Sequence, residues 1–199
     1  MGADIDGVIE ARGPDGRWEM AADLLRFGLG RERYVWECLF GFGGSLGVDR
    51  PLFDQRGVPD DVSDPVPRTC GELHHGHSYA TWAELAAVDW DLPFCDAPAW
   101  SWLGEWRPGP DGRPVLHDVV WARDELLEAA EEAFGEDLTP PEWPPGAGVR
   151  LDGAEYRPVL LTPRMFVPPD GDWGPVWAEM RALAAVHGDP NVRLVVWFG

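Results

Sequence analysis

Asp4 and Asp6 stand two residues apart in the opening stretch Met-Gly-Ala-Asp-Ile-Asp-Gly-Val-Ile-Glu-Ala. Read as a strand, this stretch puts Asp4, Asp6, Val8 and Glu10 on one face and Ala3, Ile5, Gly7 and Ile9 on the other, because strand side chains alternate. The second face is small and apolar, as a core requires. On the first, two carboxylates sit close enough to act together. A histidine brought over the strand end by a loop, His77, would complete a set of two carboxylates and an imidazole. Such a trio suits a divalent metal held by oxygen and nitrogen ligands. It suits equally an acid/base pair in which a carboxylate orients the imidazole. The competing reading is that Asp4 and Asp6 cap neighbouring loops while His77 hydrogen-bonds backbone.

Other residues could serve a ligand at such a site. Arg31, Arg33 and Arg56 carry the guanidinium fork that matches carboxylate and phosphate, although in an acidic chain they also serve to neutralise neighbouring Asp and Glu. Ser78 beside His77 is a ligand-binding candidate rather than a nucleophile, and Arg33 and Trp82 are placed near the mouth. Cys70, His74, His75 and His77 form the densest set of zinc-type side chains, within one predicted loop, but their spacing matches no zinc-finger pattern. No Gly-x-Ser-x-Gly elbow occurs. The glycines at 41, 43, 44 and 47 make neither a P-loop nor a dinucleotide fingerprint.

The elements that must position these residues follow from patterning. Gly13-Pro14-Asp15-Gly16 turns the first strand back into a hairpin. Residues 31–42 have helical spacing, and residues 45–79 read as a long irregular loop of the kind that carries function. Thr81-Trp82-Ala83-Glu84 is a capping box opening a short helix. Residues 107–113 repeat the first turn's composition and suggest a second hairpin. Residues 123–134 form an amphipathic helix with an acidic outer face. The Pro-rich segment 139–149 is a spacer or surface loop, residues 157–161 suggest a strand, and a last helix runs from near Pro175 to His187. The chain closes on Val192-Arg-Leu-Val-Val-Trp-Phe198, a run apolar enough to be a strand buried on both faces with neighbours on both sides. These elements predict a single α+β domain over residues 1–199, with a small mixed sheet containing the N- and C-terminal strands, covered by three to four helices and long loops.

At 199 residues and 45% hydrophobic, the chain can bury one good core. Its net charge is −19, from 35 acidic against 16 basic residues, and every basic residue is Arg. Part of that bias suits a GC-rich, actinomycete-like coding background. A field of this sign disfavours nucleic-acid backbones and anionic membranes and favours basic partners. Three cysteines at irregular spacing do not make a disulfide framework, and neither a signal peptide nor a spanning segment is evident, so a cytoplasmic setting is expected. The twelve tryptophans are read mainly as core and rim packing.

Several stretches together resemble a group of small phage and bacterial proteins of unassigned activity that open with Met-Gly-Cys-Asp-Ile-His. They are Met1 to Asp6, Arg33 to Phe42, Arg56-Gly-Val-Pro-Asp-Asp-Val-Ser63, His77-Ser-Tyr-Ala-Thr-Trp82 and Val192 to Phe198. Ala3 replaces the group's Cys and Asp6 its His, which argues against thiol chemistry here and leaves a harder ligand at position 6. The resemblance implies a phage-related setting and relatives, not a reaction. Two functional expectations result. One is a polar pocket at Asp4, Asp6 and His77, binding a small anionic or nucleotide-like ligand or a divalent metal, with hydrolysis as one outcome. The other is a non-enzymatic acidic protein of the immunity or inhibitor type that neutralises a basic protein partner.

Overall fold

The computed structural model describes residues 5–29, 33–64, 66, 75–135 and 138–198. It has an α+β architecture with two four-stranded sheets and five helices. Sheet A has the order β2-β1-β8-β3, built from β1 (Ile5–Arg12), β2 (Trp18–Asp23), β3 (His75–Thr81) and β8 (Val192–Phe198). Sheet B has the order β5-β4-β7-β6, built from β4 (Trp102–Pro108), β5 (Pro114–Trp121), β6 (Val149–Leu151) and β7 (Ala154–Pro158). The N- and C-terminal strands are neighbours in sheet A, as the apolar terminal run predicts. Two details differ from expectation. Among the described residues there are two sheets rather than one, and every strand pair is antiparallel rather than mixed. Sheet B arises from the predicted second hairpin plus two short strands, its strand β7 lying a few residues before the predicted 157–161.

β8 is buried along nearly its whole length because both faces of sheet A are covered. Ile9, Leu194, Val196 and Ala80 face the larger core, which takes in α1 (Arg33–Phe40) and α5 (Gly174–His187). Val8, Val195 and Trp197 face the other way, under residues 58–64 and Val66, where Val62 and Val66 close a small third core. The loop that follows α1 is held from beneath: buried Glu37 accepts backbone N–H bonds from Ser45 (2.9 Å) and Leu46 (2.6 Å). That meets the requirement that a buried charge be well hydrogen-bonded.

Successive residues of β4 divide the two larger cores. Trp102 points into the core shared with sheet A, and Leu103 into the cluster under α3 (Asp124–Phe134). The acidic run of α3 faces water, with Leu126 and Ala130 turned inward. The Pro-rich stretch contributes to this second cluster, Trp143 packing on Phe134 at 5.4 Å between ring centroids. Two short helices, α2 (Trp82–Ala86) and α4 (Pro163–Phe166), complete the cover of the larger core. Among the described residues, no helix is long and apolar enough to cross a membrane.

Candidate functional site

Antiparallel register sets side chains of neighbouring strands in rows. On the face of sheet A beneath residues 58–64, three rows cross β1, β8 and β3. Asp6 opposes Trp197, Val8 opposes Val195, and Glu10 opposes Arg193. On the other side of β8, Tyr79 opposes Val195 and Thr81 opposes Arg193. His77 joins the first row, its ring stacked on Trp197 with centroids 6.2 Å apart and planes 21° from parallel. The sequence expectation of a loop histidine is thereby corrected. His77 lies inside β3 and is buried, because the strand's pairing to β8 extends back to His75 across a register shift. The same correction applies to the predicted Cys70–His77 loop, whose last three residues are strand.

Asp6 and His77 thus share a row, with Trp197 between them. Two strand spacings, about 9.5 Å, separate their backbones, so a common ligand would have to sit over the indole. Asp6 is half-buried, whereas His77 is nearly fully buried. Asp4, Arg31, Cys70 and His74 lie outside the described residues, as does the side chain of His75. Among the described residues, no group of three or more His, Cys, Asp or Glu side chains is gathered as a metal would need.

The other predicted ligand groups have defined local duties. The Ser78 hydroxyl donates to the Asp54 carbonyl (3.1 Å) and accepts from the Arg56 N–H (3.2 Å), while the Gly57 N–H donates to the His77 carbonyl (3.1 Å). These bonds lay segment 54–57 along the outer edge of β3. The Arg56 guanidinium forks onto Glu84 at 2.7 and 3.0 Å and lies over the rings of Tyr79 and Phe53. Glu84 also accepts from the Thr81 N–H and hydroxyl, both at 2.8 Å, completing the capping box that the sequence predicts. Its hydrogen bonds to Arg56 and Thr81 hold its pKa down at about 2, against the opposing effect of burial. Arg33 is exposed, donating to the Tyr34 hydroxyl and lying over that ring. Trp82 opens α2 and faces a cleft toward α5, away from the Asp6 row.

Sequence reasoning missed the third row. Glu10 is fully buried and accepts from the Arg193 Nε–H (2.6 Å) and the Ser63 N–H (2.7 Å). Arg193 also donates to Asp61 (2.8 Å), and its guanidinium lies 4.0 Å from the Trp18 ring centroid. The Trp18 Nε1–H donates to the other Asp61 oxygen (2.9 Å). The available signal was a single charge inside an otherwise apolar terminal run, opposite a strand bearing Glu10. This network fastens residues 61–63 over the sheet.

No family model matches the chain, and no curated protein or solved structure matches it. The site's own chemistry therefore carries the functional argument.

Proposed function

We propose that the Asp6 end of sheet A binds a small polar ligand, with Asp4, Asp6 and His77 as its acid/base or metal-holding groups. The observation that carries this reading is the alignment of Asp6, Trp197 and His77 in one row across three strands. A carboxylate and an imidazole flanking an indole offer oxygen and nitrogen ligands to a cation. The stretches Arg56–Ser63 and His77–Trp82, which carry the family resemblance, also meet along this part of the sheet. On this reading the chain is a cytoplasmic accessory protein of phage-related setting.

Calorimetric titration with Mn²⁺, Zn²⁺ and ADP tests it. One saturable site is expected for at least one probe, weakened by Asp4→Asn, Asp6→Asn or His77→Gln in variants that retain a cooperative melt. Saturable binding that is unchanged in all three variants, or no binding of any probe, refutes the reading.

A second reading, capture of a basic protein, is favoured by one surface. Asp124, Glu125, Glu128, Glu131 and Glu132 of α3 are all exposed. Trp121, the last residue of β5 and three positions before this helix, is 45% exposed and meets Trp100, 65% exposed, edge-on at 6.1 Å. Exposed tryptophans beside a charged rim are the usual anchors of a protein interface. An octa-arginine peptide would bind this surface in a salt-sensitive way and lose affinity in the Trp100→Ala/Trp121→Ala variant. Equal binding by that variant would reduce the effect to nonspecific charge.

A further inference from the structure

We propose that the cleft between α2 and α5 is a separate binding site for a planar aromatic monocarboxylate. The cleft has a volume of about 370 Å³, and its lining includes Trp82, Trp90, Trp177 and Val167 together with Arg164 and Arg181. That volume falls in the range of small-molecule pockets, roughly 300–1,000 Å³, at the end that suits one or two fused rings. Three indoles share the lining with the aliphatic side chains of Leu85, Ala86, Val88, Val167 and Pro169. Trp90 and Trp177 lie 6.0 Å apart at 48°, and Trp177 is backed by Trp173 at 5.2 Å.

These walls are held before any ligand arrives. Arg164 donates its backbone N–H to the Trp90 carbonyl (3.0 Å), and its guanidinium forks onto Asp91 at 2.6 and 3.0 Å. The turn carrying Trp90 is thereby tied to α4. On the other side, the Thr81–Glu84 capping box and the Arg56–Glu84 pair fix α2, and with it Trp82. Pre-formed walls reduce the ordering cost of binding.

Charge selects the ligand. Asp91 neutralises Arg164, whereas no carboxylate among the described residues forms an ion pair with Arg181. The guanidinium of Arg181 instead lies over Trp82, 5.7 Å from the ring centroid. In a chain with a net charge of −19, an arginine with no acidic partner among the described residues, lining an aromatic cleft, offers a single compensating charge. A flat ring would stack on the indoles while its carboxylate meets the fork of Arg181. A dianion such as a phosphate monoester is disfavoured, because one guanidinium matches only one of its charges and the surrounding field repels the other.

The test uses 2-naphthoate, its neutral isostere 2-naphthamide, and 2-naphthyl phosphate, titrated calorimetrically into the full chain. Saturable one-site binding of naphthoate is expected, with naphthamide and naphthyl phosphate both weaker by about ten-fold or more, the value of one charge-assisted contact. Arg181→Met should remove the preference for acid over amide, and Trp90→Leu should weaken both. The acid/amide ratio in the unaltered protein needs no variant to fold. No saturable naphthoate binding at millimolar concentration, equal affinity for acid and amide, or tighter binding of the phosphate would each overturn the assignment.

Discussion

Glu10 and Arg193, 183 residues apart in the chain, meet across β1 and β8 as an ion pair of 2.6 Å, with side chains 0% and 5% exposed. The pair joins β1 to β8 and, through Ser63 and Asp61, ties residues 61–63 to the sheet. Desolvation makes such a pair a weak source of net stability but a severe loss when one half is removed. Glu10→Gln should therefore destabilise the fold by about 3–5 kcal/mol, read as a shift in urea midpoint. The double variant Glu10→Met/Arg193→Met should lose less than Glu10→Gln alone. A double loss equal to the sum of the two single losses would show that the charges act independently.

The Arg56–Glu84 pair gives the molecule an acid-sensitive joint. Arg56 and Thr81 hold Glu84 at a pKa of about 2 in the fold, against an ordinary value of 4.5. A depressed carboxylate pKa adds stability that is complete above the unfolded value and is lost as pH falls through the folded one. The window is thus from about 4.5 down to about 2. Glu84 is 36% exposed, so solvent screening limits the contribution to about 1–2 kcal/mol. Urea midpoints of the unaltered protein and Glu84→Gln should differ at neutral pH and converge near pH ~2. A constant difference across that range would remove Glu84 as the titrating group.

Thiol chemistry at Cys38 and Cys95 should be silent in the native state. Burial, helped by the neighbouring charge of Glu37, pushes the Cys38 thiol pKa well up, and Cys95 is also buried. The reactive species is the thiolate, which such an environment suppresses. In a Cys70→Ser variant, an aromatic disulfide reagent should label neither remaining cysteine until denaturant is added. Rapid stoichiometric labelling of the folded protein would contradict this.

The parts of the fold that were legible in the sequence are those whose signal is local. The apolar terminal run, the Thr81–Glu84 capping box, the amphipathic α3 and the Pro-started α5 all announce themselves within a few turns of chain. Sheet B is harder to read because its edge strand β5 is mostly exposed and its β6 is three residues long, so neither has a clean alternating pattern. β3 begins His-Gly-His, poor strand formers whose conformation is imposed by pairing with β8. Asp6 and His77 prove to share a sheet face, yet nothing local signals that Trp197 stands between them. The α2–α5 cleft draws on residues as distant as Trp82 and Arg181, a proximity that only packing creates.

Gly76 connects that imposed strand to the candidate site. Its φ of +64° sits at the register shift beside His77, where β3 takes an extra residue against β8. Bulges of this kind re-aim the side chain that follows, and glycine adopts their left-handed backbone without strain. A Cβ at position 76 would lie 2.6 Å from Cδ2 and 3.0 Å from Cε2 of Phe198. The Phe198 ring cannot simply swing away, since Trp36 and Phe42 pack against it at 6.1 and 5.3 Å. Gly76→Ala should therefore add steric overlap to backbone strain and cost about 2–4 kcal/mol. Gly112→Ala, where φ is +77° and nothing lies within 4 Å, isolates the backbone share, about 1 kcal/mol. The Gly76 variant should also shift the ¹H resonances of the His77 ring as its stacking on Trp197 changes. Equal stability losses at the two glycines, with the His77 resonances unmoved, would mean that the terminal ring yields freely and that the bulge does not aim the histidine.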